Sequence, residues 1–201
     1  MSIKIAISGD LGSGKSTVGK IIEAKKGFKF HSGGMIYRGL AEKYNMTPAE
    51  FAKYAEEHPE VDKEIDGELV KLAKEDKDIV IDSRMAWHFV EGSFKVHLLV
   101  DAKLAAERIV NENRGKEQYA SVEEAIEKIG QRKASENKRY LEKYNVDVNK
   151  LTNYDLVVDT TYATPEEIYE LIDDKLNMWS NDETFDRVWT NKSGNWESSN
   201  D

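Results

Sequence analysis

The residues Gly9, Asp10, Leu11, Gly12, Ser13, Gly14, Lys15 and Ser16 fit the pattern G-x-x-x-x-G-K-[ST]. The chemistry of that pattern is polyphosphate binding. Glycines let successive backbone N–H groups curl round the phosphates, the lysine reaches the β/γ oxygens, and the serine hydroxyl joins Mg²⁺. Gly9 to Ser16, with Thr17 behind them, are therefore the candidate nucleotide-binding residues, and Ser16 is a candidate metal ligand. A second constellation lies far downstream: Arg132, Glu136 and Arg139 fall at i, i+4 and i+7, on one face of a helix. The spacing alone fits either two guanidinium forks around a ligand or an exposed intrahelical salt bridge worth about a few tenths of a kcal/mol. Arg38 and Arg84 each follow a short apolar run, at the kind of strand end where open α/β sheets collect ligands. Asp82 closes one of those runs, where a carboxylate can orient Mg²⁺ or its waters.

The elements that must position these residues are legible around them. Residues 3–7 alternate as a strand, and Val18, Ile21 and Ile22 recur at helical spacing after the loop, giving the strand–loop–helix order that aims a helix N-terminus at phosphate. Residues 28–32 form a second strand that leads into a helix carrying Arg38. Thr47 to Glu50 form a capping box with proline at the first helical position. That helix and the next, with Val61, Ile65, Leu69 and Leu72 on one side, form an inserted flap over about 40–75. Asp62 and Asp66 lie one turn apart in it, on what is otherwise a solvated acidic face; His58, before Pro59 at a helix end, is expected to be exposed rather than catalytic.

Residues 78–82 are almost wholly β-branched, as in a central parallel strand. Residues 94–100 form the fourth strand, and Asp101 caps a helix that carries Arg108. A polar, glycine-broken hinge follows, then a capping box at Ser121 to Glu124 opens a long helix to about Tyr144. Residues 154–159 form a fifth strand, and Thr164 to Glu167 cap a closing helix through Leu176. The polar tail 177–201 has no periodicity and is expected to be disordered, although Trp179, Trp189 and Trp196 would let part of it dock.

Composition bounds the rest. A 201-residue chain suits one α/β domain and buries roughly 70% of its unfolded surface. With no cysteine there are no disulfides, thiolate metal sites or thiol nucleophiles; a reducing, cytoplasmic setting is expected. The net charge of −9 argues against a nucleic-acid surface, and no segment has the apolar length of a membrane span. Phosphate must then be met by local cations. Only seven of the 29 basic residues are arginines, whose planar fork grips phosphate bidentately. The pattern [NT]-K-x-D for reading guanine is absent, which disfavours a hydrolytic switch.

Over about residues 3–176 the chain resembles nucleoside monophosphate kinases, and most closely the archaeal-type cytidylate kinases. The shared motifs are the phosphate loop, residues 32–38, 59–66 and 82–84, then Ala106 to Ile109, Arg132 with Ser135, Glu136, Arg139 and Tyr140, and finally residues 144–147 and 154–159. The resemblance implies a three-layer α/β P-loop NTPase fold with a five-stranded parallel sheet, a helical acceptor-binding insertion and a short lid over about 111–140. In it Lys15, Arg132 and Arg139 act on the migrating phosphoryl group, with Ser16 and Asp82 on Mg²⁺. Arg108 lies against ATP, and Ser32, Arg38, Arg84, Arg132, Glu136 and Arg139 hold the acceptor. The implied acceptor is CMP or dCMP, and a monomer is expected. In the bacterial enzymes an aspartate follows the arginine matching Arg84, whereas this chain has Met85, so cytosine cannot be read through that carboxylate. Asp62 and Asp66 are the remaining candidate base readers. A kinase for AMP, UMP or another metabolite, and a non-catalytic nucleotide-binding module, are the competing readings.

Overall fold

The computed structural model describes residues 2–46, 50, 51, 54, 58, 60–111, 119–181, 188–190 and 196–198. In order these form β1 (Lys4–Gly9), α1 (Lys15–Lys26), β2 (Lys29–Ser32), α2 (Gly33–Lys43), α3 (Glu60–Lys74), β3 (Ile79–Asp82) and α4 (Ala86–Phe89). The second half gives β4 (Phe94–Leu99), α5 (Ala102–Asn111), α6 (Val122–Tyr144), β5 (Leu156–Asp159), α7 (Pro165–Asn181), β6 (Val188–Thr190) and β7 (Trp196–Ser198). The chain divides into two compact units, Met1–Ser8 with Gly19–Lys95 and Gly9–Val18 with Val96–Asp201.

In the first unit β3 lies between β2 and β1, parallel to both. The register aligns Ser32, Asp82 and Ile7 at the carboxyl ends of the three strands. Ile5, Ala6, Ile7, Ile79, Val80 and Ile81 are at most 1% exposed, the two-sided burial that continuous β-branched runs imply. Each of these isoleucine and valine side chains contributes about 1.5–3 kcal/mol. Helix α1 packs Val18 and Ile22 inward, as their spacing predicts. The insertion has its own small core of Leu40, Ala41, Phe51 and Val61, with Tyr37, Tyr44, Tyr54 and Ile65 packed on it. Tyr37 meets Phe51 edge-on at 5.0 Å, and His58 stacks on Tyr54 at 3.8 Å between centroids. His58 is half-buried rather than exposed because that ring covers it. The box expected at Thr47 to Glu50 lies largely outside the described residues, as does most of the hinge expected over 111–119, Arg114 included.

In the second unit β4, β5 and β6 run parallel, and β7 returns antiparallel to β6. The predicted caps form. Asp101 Oδ1 accepts from Lys103 N and Leu104 N, Ser121 Oγ accepts from Glu124 N at 3.2 Å, and Thr164 and Glu167 cap each other at the start of α7. Asn145, in the left-handed region at φ +54°, ends α6 one residue after Tyr144. In the described part of the tail α7 runs on to Asn181, and residues 188–190 and 196–198, with Trp189 and Trp196, extend the strand ladder beyond β5. Val-Trp-Thr is a strong strand triplet, and β5 offers it an open edge, so pairing overrides the polar composition around it.

Two helical glycines separate packing from propensity. A Cβ on Gly19 would lie 2.4 Å from the Phe30 ring, whereas one on Gly67 meets nothing within 4 Å. Alanine gains up to about 1 kcal/mol over glycine in a helix interior, while overpacking costs about 1–3 kcal/mol. Gly67→Ala is expected to stabilise by about 0.5–1 kcal/mol and Gly19→Ala to destabilise by about 1 kcal/mol, read from urea melts; equal signs for the two would contradict this packing.

Candidate active site

The phosphate loop belongs to the second unit and is pressed backbone to backbone on its neighbours. At Gly9, φ is +137° and an added Cβ would sit 2.1 Å from the Leu98 carbonyl oxygen; at Gly12, φ is +79° and the Ala105 oxygen would be 2.9 Å away. Asp10 N donates to Leu98 O at 2.9 Å. Glycine is required at both positions by contact as well as by conformation. Ser13, fully buried, turns the loop by donating from N and Oγ to the Asp10 carbonyl. The Lys15 ammonium lies within the loop, 3.0 Å from Gly9 O and also on Asp10 O. Ser16 and Thr17 occupy the first turn of α1, which carries no acidic residue, so the positive end of the helix is undiminished for an anion. Leu11 is half-buried beside them.

Arg108 reaches the same loop from α5. Its guanidinium donates to Gly12 O at 3.2 Å, Thr160 O at 3.1 Å and Thr161 O at 3.3 Å. These contacts place it at the loop, with three of its donors meeting backbone carbonyls. On α6, Arg132 Nε pairs with Glu136 Oε1 at 3.0 Å, as the i, i+4 spacing predicts. Glu136 is only 16% exposed and Arg132 46%, so the carboxylate is sheltered and the fork stays accessible. Arg139 is exposed, its guanidinium carbon 5.5 Å from the Tyr140 ring centroid.

The residues expected to hold the acceptor lie mostly in the first unit. Ser32 is the N-cap of α2, its hydroxyl accepting from Met35 N at 3.1 Å. Arg38 is exposed, and its guanidinium extends back along α2, 3.4 Å from where a Gly34 Cβ would stand. Asp82 and Arg84 are half-buried at and just after the end of β3, where Ser83 N donates to Ile7 O at 3.1 Å. Asp66 is half-buried on α3; the Asp62 side chain lies outside the described residues. Between α2 and α3, Glu64 accepts from the Tyr44 hydroxyl and from Lys43 at 3.0 Å. That hydroxyl bond, above all, holds the Glu64 carboxyl below its ordinary range and pushes Tyr44 up to about 12.

A family model described as the cytidylate kinase-like family matches residues 4–162. The chain belongs to the cytidylate kinase-like family. Curated cytidylate kinases are similar along most of its length: one from Pyrococcus abyssi is 38% identical over 84% of this chain and 90% of its own, and one from Sulfolobus acidocaldarius is 37% identical over 85% and 92%. Among solved structures, an uncharacterized protein from Eubacterium ventriosum superposes with a TM-score of 0.66 at 17% identity, covering 88% of this chain and 99% of that one. A shikimate kinase from Bacteroides thetaiotaomicron gives 0.59 at 17% identity, over 89% and 98%. The fold is accordingly α/β with a five-strand parallel sheet and flanking helices.

Within this family member, Met85 stands where bacterial relatives were expected to carry an aspartate, and it is 4% exposed, packed as core. Two residues of the loop's surroundings were not foreseen from sequence. Lys133 of α6 donates to Asp10 Oδ1 at 2.6 Å, across 123 positions of chain. His97 of β4 is buried with its ring 4.4 Å from that of Tyr154. The acidic residue inside an anion-binding loop was the signal for Lys133; nothing in the spacing marked His97.

Burial, against a weaker opposing pull from Asp10, lowers the His97 pKa from 6.5 to about 4. The unfolded chain therefore binds a proton that the native one refuses between those values. The contribution is full above pH 6.5 and falls by about 3 kcal/mol as pH drops toward 4. His97→Phe is expected to flatten the fall in urea-melt stability over that interval; an unchanged slope would show that His97 is not its source.

Proposed function

We propose that this chain is a nucleoside monophosphate kinase that transfers the γ-phosphoryl group of ATP to CMP or dCMP, giving ADP and CDP or dCDP. The observation that carries this reading is the family match over residues 4–162, which takes in both the phosphate loop and the arginine-bearing helix α6. The attacking group is an oxygen of the acceptor phosphate, already ionised at neutral pH, so no general base is required. Catalysis is then positioning and charge neutralisation. Loop N–H groups and Lys15 hold the donor phosphates, and Arg132 and Arg139 stabilise charge on the migrating group. Arg38 and Arg84 bind the acceptor phosphate, while Glu136 orients Arg132. The Ser16 hydroxyl and the Asp82 carboxylate are hard oxygen donors, the chemistry that would hold Mg²⁺. When bound with the nucleotide, Mg²⁺ offsets charge on the β and γ oxygens.

The buried Met85 leaves the base reader open and keeps AMP, UMP or another metabolite as the second reading of the acceptor. A coupled assay for ADP release with MgATP and CMP, dCMP, UMP or AMP in turn, with a no-acceptor control, separates them. Turnover confined to CMP and dCMP is expected; turnover with none of the four, alongside ATP binding, would move the acceptor elsewhere. Lys15→Ala is expected to cost at least about a hundredfold in turnover, the scale of one lost electrostatic stabiliser. Normal turnover would remove Lys15 from the mechanism. Asp66→Asn is expected to narrow the preference for CMP over UMP, and an unchanged preference excludes Asp66 as reader.

A further inference from the structure

Asp10 places a carboxylate inside a loop built to receive a polyanion. Its Oδ2 accepts from Val100 N at 3.3 Å, which holds the side chain against the end of β4. Its Oδ1 accepts from the Lys133 ammonium at 2.6 Å. The Asp10 side chain is 17% exposed and that of Lys133 49%, so the negative charge is the more sheltered of the two. The Asp10 main chain is equally engaged, its carbonyl receiving Ser13 and Lys15. Lys133 adjoins Arg132 on α6, and one turn further Asn137 Nδ2 donates to Asn149 Oδ1 at 3.1 Å. The same stripe of α6 is thus fastened to the phosphate loop at one turn and to the connection into β5 at the next.

We propose that Lys133 is a positioning residue for phosphoryl transfer: it neutralises Asp10 so that the loop accepts the donor triphosphate. The inference rests on the kinase reading above and assigns a charge-balancing partner to the same loop. Left unneutralised, the Asp10 carboxylate repels the phosphates through a partly desolvated path, where screening is weak. Removing that carboxylate should therefore cure the loss of Lys133. A purely structural link between α6 and the loop would behave in the opposite way, because both single changes and the double change break it equally.

The test is calorimetric titration of MgATP into the full chain without acceptor, for the parent, Lys133→Met, Lys133→Arg, Asp10→Asn and the Lys133→Met/Asp10→Asn double variant. Lys133→Met is expected to bind about tenfold more weakly, with the deficit shrinking as salt rises. Lys133→Arg, which keeps the charge, and the double variant are expected within about threefold of the parent. Two results overturn the inference while the parent still binds MgATP: parental affinity in Lys133→Met, or a deficit that Asp10→Asn does not lift. Absence of MgATP binding by the parent would instead overturn the kinase reading, and this inference with it.

Discussion

The constraint on which the rest depends is the contact of the phosphate loop with its own support. Gly9 and Gly12 bring main chain against the Leu98 and Ala105 carbonyls at distances that leave no room for a side-chain carbon. A loop whose N–H groups must converge on phosphate has to keep side chains of its own out of the space that the anion needs. Here it is held by backbone: Asp10 N on Leu98 O, Ser13 on the Asp10 carbonyl, and Val18 N on Gly14 O as α1 begins. Strand β4, helix α5 and the loop form one compact piece of the second unit, which fixes the loop before any ligand chemistry is considered.

Electrostatics follow from that placement. The protein carries a net charge of −9, so long-range attraction does not bring a polyphosphate to it, and the local arrangement of cations must. Lys15, Arg108 and Lys133 all lie at the loop, each with a different task. Lys15, a compact ammonium on a flexible stem, rests on loop carbonyls that it can exchange for phosphate oxygens. Lys133 meets the one acidic side chain in the loop. His97, nearby and buried, stays neutral at neutral pH and leaves this balance to the permanent charges.

What the sequence made legible is what short-range spacing encodes. The strand–loop–helix unit, the caps at Asp101, Ser121 and Thr164, the end of α6 near Tyr144 and the Arg132–Glu136 pair all depend on residues within a few positions of each other, and the structure shows each of them. Partners joined only by folding were not legible. The Lys133–Asp10 pair spans 123 positions, and the His97–Tyr154 stack joins two strands through tertiary packing. The tail was legible in part, since Trp189 and Trp196, the residues that marked it as able to dock, fall in β6 and β7. Its composition is that of a disordered segment, but β6 gains its order from the edge of β5, a partner that composition cannot reveal. Met85 was legible only as the loss of a carboxylate at that position; its burial is a product of packing.

Arg108 shows why arginine is used so sparingly in this chain. Three carbonyls from two separate segments, Gly12 on the loop and Thr160 and Thr161 after β5, must be met by one side chain. A rigid planar fork with diverging N–H groups spans them, with Nη1 to one segment and Nη2 to the other; a single ammonium would have to choose. The Thr160 N–H and hydroxyl donate to Leu99 O, and the Thr161 hydroxyl accepts from Asp101 N, so the segment after β5 is itself anchored to the end of β4. The loop is thereby braced from two directions: Leu98 and Ala105 press on it through the glycines, and Arg108 draws Gly12 toward the end of β5. An arginine at this position does structural work first, and any contact it makes with a bound nucleotide adds to a geometry that its carbonyl bonds have already set.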